Sequence, residues 1–134
     1  MKRRNDPEHR EQKALIDWAR IMAGKHPELS ELFAIPNGGG RSKAEGGRLK
    51  AEGVLPGVLD LFLPVPRLGV PGLWIEMKAP GKGRLSTEQK ERIEFLIGQG
   101  YAVVVAWDWK YAADEIIKYL TGHPEGGVVK EVGK

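Results

Sequence analysis

The sequence predicts an α/β domain, a mixed β-sheet with helices on both faces. Three observations predict it. Segments of helical and of strand character alternate along the chain in the order α, β, α, β, β, α, β, α. Residues 101–106, Tyr-Ala-Val-Val-Val-Ala, form a β-branched run of the kind that sheets bury. The 134 residues are 41% hydrophobic, which suits one domain with a real core, and nothing marks a second.

The elements follow in order. Asp6-Pro7 is a good N-cap and first-turn pair, and Leu15, Trp18 and Met22 then recur at helical spacing, so a helix is expected over 7–23, ended by Gly24. After a polar link, 32–35 reads as a short strand closed by the turn Pro36-Asn37-Gly38-Gly39-Gly40. A basic helix is expected over 43–52. Two apolar runs, 57–64 and 72–78, read as strands joined by a Pro- and Gly-containing turn, and Pro80-Gly81-Lys82-Gly83 as a flexible basic loop. Ser86 opens a helix whose inward stripe includes Ile93, Leu96 and Ile97; the strand over 101–106 and a helix over 112–120 close the domain. The domain is expected over 1–123. The tail, 124–134, is expected to be disordered or to pair with another chain, with Val128-Val129 as its apolar part.

Composition excludes several chemistries. Without cysteine there is no disulfide, thiol nucleophile or Cys-ligated zinc, and His9, His26 and His123 lack paired ligand spacing. The basic start, Met1-Lys2-Arg3-Arg4, is followed by polar residues and no apolar segment, so an intracellular, cytoplasmic protein away from membranes is expected. Lys and Arg outnumber Asp and Glu by 21 to 18, which is compatible with a polyanionic partner without demanding one.

Chemistry concentrates in the two central strands. Asp60 lies among Leu59, Leu61, Phe62 and Leu63, a run that reads as buried on both faces, where an unpaired carboxylate is costly. In the next run, Glu76 and Lys78 share a face while Leu73, Ile75 and Met77 share the other. Either charged set has an ordinary reading, a strand edge or a solvated pair; together, two acids and a lysine at one sheet suit a divalent metal. Ser86-Thr87-Glu88-Gln89 fits a capping box, yet Gln89 also lies on the face turned toward the sheet, four and seven residues before Ile93 and Leu96. Glu8 and Glu11, seven and four residues before Leu15, both fall on the inward side of the first helix and compete as a supporting acid.

Glu8 with Gln12, Pro36-Asn37-Gly38-Gly39, Lys50-Ala51-Glu52-Gly53-Val54, Gly57-Val58-Leu59-Asp60-Leu61, Ile75-Glu76-Met77-Lys78, Ser86-Thr87-Glu88-Gln89 and Gly100-Tyr101 form an ordered series. It resembles a stand-alone virus-type replication-repair nuclease (VRR-NUC) domain, a branch of the PD-(D/E)XK superfamily, over about residues 8–120. The resemblance implies a restriction-endonuclease-like fold and a metal-dependent DNA endonuclease, structure-selective on branched DNA such as four-way junctions, of phage or bacterial type and acting as a homodimer. It implies Asp60 and Glu76 as ligands of Mg²⁺ or Mn²⁺ together with the Met77 carbonyl, Lys78 as catalytic lysine, and Gln89 and Glu8 as supporting polar residues. Leu59 stands where such domains usually have proline, which implies a changed loop more than a changed chemistry.

DNA is expected along basic, glycine-containing segments: Asn37, Arg41, Lys43, Arg48 and Lys50 before the first acid, and Lys82 and Arg84 after the lysine. Two alternatives stand beside this reading. One is a nucleic-acid-binding protein with a vestigial site; the other is a small α/β nucleotide-binding protein using Gly38-Gly39-Gly40, although that run matches neither phosphate-loop pattern.

Overall fold

A computed structural model describes residues 6–36, 43–122 and 129–132. In order along the chain it contains α1 (Pro7–Met22), a 3₁₀ turn (Pro27–Glu31), β1 (Phe33–Ala34), α2 (Lys43–Ala51), β2 (Leu61–Leu63), β3 (Leu73–Met77), α3 (Thr87–Gly98), β4 (Ala102–Ala106), α4 (Trp109–Leu120) and β5 (Val129–Val132). The strands form one mixed sheet in the order β1-β2-β3-β4-β5. The first three are antiparallel neighbours, while β3–β4 and β4–β5 are parallel. Among the described residues no helix is long and apolar enough to cross a membrane.

Three of the helices, α1, α3 and α4, start where the sequence supplies a cap. Asp6 accepts from the amides of Glu8 and His9, with Pro7 in the first turn. Ser86 and Gln89 form a complete capping box on α3, and Asp108 accepts from the Tyr111 amide at the start of α4.

The pleat divides the side chains into two cores. Leu61, Leu63, Leu73, Ile75, Met77, Val104 and Ala106 pack beneath α1 and α4 against Leu15, Ala19, Ala112 and Ile116. Val103, Val105 and the half-buried Trp74 pack with Ile93 and Leu96 of α3 on the opposite face. Alternation in β3 therefore holds as expected, with Trp74 and Glu76 on the α3 side and Leu73, Ile75 and Met77 on the other. Trp18 is half-buried against the α1–α4 core.

Three expectations need correction. The strand expected over 57–64 begins only at Leu61, so Asp60 occupies a half-buried bend before it and not a strand buried on both faces. Gly57 explains the delay: its φ is +79°, and a Cβ there would stand 2.6 Å from the Glu88 carbonyl carbon, so this segment turns tightly under the first turn of α3 before extending. The polar link after α1 contains the 3₁₀ turn, begun by Pro27 and burying Leu29. In the tail, Val129–Val132 pair with β4 of the same chain in place of another chain.

Candidate active site

At the β3 end of the sheet the backbone brings Asp60 beside Glu76. The Met77 amide donates to Asp60 Oδ2 at 2.8 Å, and the Asp60 amide donates to Glu76 Oε1 at 3.2 Å, so each acid is fixed by backbone at or next to the other. Asp60 also gives its carbonyl to the Ile35 amide, which anchors the bend to the end of β1. Glu76 is 1% exposed and Lys78 8%.

Gln89 ties this centre to α3. Its Oε1 accepts both from the Ser86 amide and from Lys78 Nζ, each at 2.9 Å, while its Nε2 donates to Glu76 Oε2 at 2.7 Å. The two readings of Gln89, cap and site residue, are thus satisfied by one side chain. Lys78 Nζ lies 3.5 Å from Glu76 Oε2. Burial pushes the Glu76 carboxyl up to about 8, and the Asp60 charge adds to the rise; Lys78 opposes it and Glu8 contributes further in the upward direction.

The centre opens into a cleft of about 750 Å³ lined by Glu8, Asp60, Glu76, Lys78, Ser86 and Gln89, with the β1 end and the 54–58 loop forming its walls. Glu8 faces the cleft. Glu11 instead accepts from the Trp109 amide at 2.8 Å and fastens α1 to the start of α4.

Features around the centre also lack a clear signal in the sequence. Trp107, 1% exposed, donates from Nε1 to the Gly83 carbonyl at 2.8 Å, pinning the loop after β3. A Cβ at Gly83 would meet Lys78 Cβ at 2.8 Å, so the missing side chain lets that loop close over the lysine stem. His9 also lines the cleft, where helical spacing from Glu8 alone does not mark it.

The basic candidates stand apart. Lys50, Lys82 and Arg84 are exposed, Arg48 is paired with Glu52 at 3.4 Å, and none of these four lines the cleft itself. Asn37, Arg41 and the run Gly38-Gly39-Gly40 lie outside the described residues, as does the side chain of Lys43.

The donor set bears on which metal fits. Among the described residues no three His, Cys, Asp or Glu side chains gather into a cage for an ion. Two adjacent carboxylates opening to a cleft instead match ions that take one or two carboxylates and keep water and phosphate as their other ligands. Burial and, after it, the Asp60 charge disfavour the ionised form of Glu76, a cost that a cation there would relieve. Because the Met77 side chain is fully buried in the apolar core, only its carbonyl is suited to take part.

A family model described as VRR-NUC domain matches residues 1–107. A solved structure described as a VRR_NUC domain protein is 28% identical, with 96% of each chain covered and a TM-score of 0.75. No curated protein matches the sequence.

Proposed function

This chain belongs to the VRR-NUC domain family, a nuclease family, and on that premise we propose that it is a divalent-metal-dependent DNA endonuclease that nicks branched DNA. The observation carrying this reading is the linked set Asp60, Glu76, Lys78 and Gln89 at the floor of an open cleft.

Asp60, Glu76 and the Met77 carbonyl would hold Mg²⁺ or Mn²⁺, ions that accept hard oxygen donors. When bound, such an ion supplies Lewis-acid polarisation of the phosphate and a more acidic water at neutral pH. Lys78 is a buried ammonium pointed by Gln89, placed to orient the attacking water and to stabilise negative charge that develops on the phosphate. Gln89 is a positioning residue: it fixes the lysine and one oxygen of Glu76 together. Glu8 reinforces the negative field of the cleft from α1. Lys50, Lys82 and Arg84, exposed beyond the cleft, suit the phosphates on either side of the cut and carry no base-reading arrangement, which favours recognition by DNA shape.

One centre makes one nick, whereas resolving a four-way junction takes two related nicks, so a homodimer with two-fold symmetry is the working form on such substrates. The test is incubation with end-labelled linear duplex and four-way junction in Mg²⁺, Mn²⁺ or EDTA, alongside sedimentation of the protein. Paired symmetric incisions that require a metal, from a dimer, are expected. Binding without cleavage in either metal would support a vestigial site, and a strict monomer on DNA would restrict the activity to single nicks.

A further inference from the structure

A second hollow adjoins the cleft. Val58 lines both, and beyond it a groove of about 180 Å³ is formed by Leu59, Trp74, Arg92, Phe95 and Leu96. Its volume falls below the roughly 300–1,000 Å³ of cofactor-sized pockets and suits a single planar ring system.

The walls are built for such a ring. Trp74 is held from behind by Phe62, with centroids 4.4 Å apart and planes inclined by 34°, and at its edge by Tyr101 at 6.2 Å. Phe62 in turn lies over Gly72, where a Cβ would stand 2.7 Å from the ring, so the missing side chain leaves room for this arrangement. The indole is therefore fixed before anything binds. Phe95, which lines the same groove, is 58% exposed, a large apolar ring left in water. Trp74 Nε1 and Arg92 Nε are buried and lack hydrogen-bond partners among the described residues, unspent donors on two residues of one groove.

The surrounding charge selects the occupant. Glu88 and Glu91 join Arg92 and Phe95 around a neighbouring hollow that shares Pro56 with the cleft, so carboxylates flank the groove and disfavour a phosphate there. An uncharged, flat, hydrogen-bonding group attached to a strand already lying in the cleft meets every condition. We infer that the groove receives an unpaired nucleobase next to the scissile phosphate, stacked between Trp74 and Phe95, and that this contact makes the enzyme prefer DNA with unpaired nucleotides at the cut. The inference rests on the nuclease reading and names the substrate feature recognised beside that site.

The test compares Phe95→Ala with the unaltered protein on two probes in EDTA: a duplex carrying 2-aminopurine in a short unpaired stretch, and a blunt, fully paired duplex of equal length. Base–aromatic stacking is worth about 1–3 kcal/mol per base, so the variant should bind the first probe roughly fivefold or more weakly and the second unchanged. Stacking should also quench the 2-aminopurine emission with the unaltered protein and less with the variant. Equal losses on both probes, or no loss on either, would overturn the groove. So would a change in sedimenting mass for Phe95→Ala, which would show that a second copy of the chain covers it. Cleavage of both probes in Mg²⁺ or Mn²⁺ is read in parallel. Cleavage and binding without discrimination remove the groove alone, whereas no binding and no cleavage of either probe remove the nuclease reading with it.

Discussion

Two glutamate–cation pairs in this molecule behave in opposite ways. Glu28, in the 3₁₀ turn, meets Arg67, whose Nε and Nη1 donate to the Leu120 and Pro66 carbonyls. Its own backbone amide and, against some loss of hydration, the Arg67 charge hold its carboxyl below the ordinary range. Glu76 sits 3.5 Å from Lys78 yet is raised to about 8, because burial and the Asp60 charge outweigh the lysine. The first pair relaxes its carboxylate and joins distant segments. The second lies buried beside Asp60 at the floor of a cleft, the kind of setting in which strongly shifted groups gather at functional sites.

The largest expected contrast is in rate. Glu76→Ala should reduce metal-dependent cleavage of a labelled junction by roughly a thousandfold or more, the several kcal/mol of transition-state stabilisation that a bound ion provides. Glu28→Ala should leave the rate unchanged and lower the melting temperature slightly. Comparable loss of rate in both variants would dissolve the distinction between the pairs.

The pH dependence of stability should also differ in sign. With metal removed by EDTA, folded Glu76 keeps its proton up to about pH 8, while the unfolded chain releases it near the ordinary 4.5. Between those values the folded state binds more protons, so this group makes stability fall as pH rises, by an amount on the order of a few kcal/mol across the window. Glu28, lowered on folding, contributes stability that is present above its unfolded pKa and lost as pH falls through the folded one. Urea midpoints measured from pH 4.5 to 8.5 should decline for the unaltered protein in EDTA and flatten for Glu76→Gln. A midpoint that rises over this range in EDTA would contradict the assignment.

The smallest effect concerns the arginines. Arg84→Ala should weaken DNA binding across sequences and reduce the salt slope by about one, because one phosphate contact is lost. Arg67→Ala, removing a side chain engaged within the fold, should leave the slope as it was. Filter binding at several salt concentrations separates them, and equal slopes for Arg84→Ala and the unaltered protein would move the DNA path elsewhere.

Periodicity made much of this legible in the sequence. The face shared by Glu76 and Lys78 follows from strand alternation alone, and the dual position of Gln89 follows from helical spacing after Ser86. Helical spacing sets both Glu8 and Glu11 inward on α1 and does not reveal that Glu11 meets the Trp109 amide, nearly a hundred residues away in sequence. Asp60 was misplaced for a similar reason. Its apolar neighbours read as strand, while the tight approach of Gly57 to the Glu88 backbone, a tertiary contact, holds the chain in a bend. The Trp107–Gly83 tie is likewise a meeting of loops that local pattern does not encode.

Gln89 has a consequence for how this sequence can change over time. A carboxamide of that reach accepts from Ser86 and Lys78 on its oxygen and donates to Glu76 from its nitrogen. Glutamate would preserve the helix start but set a further carboxylate against Glu76 where an amide now donates, and asparagine is a methylene shorter. A substitution at this position therefore disturbs Lys78, Ser86 and Glu76 at once, which makes residues 76, 78, 86 and 89 one mutually dependent set instead of four independent sites.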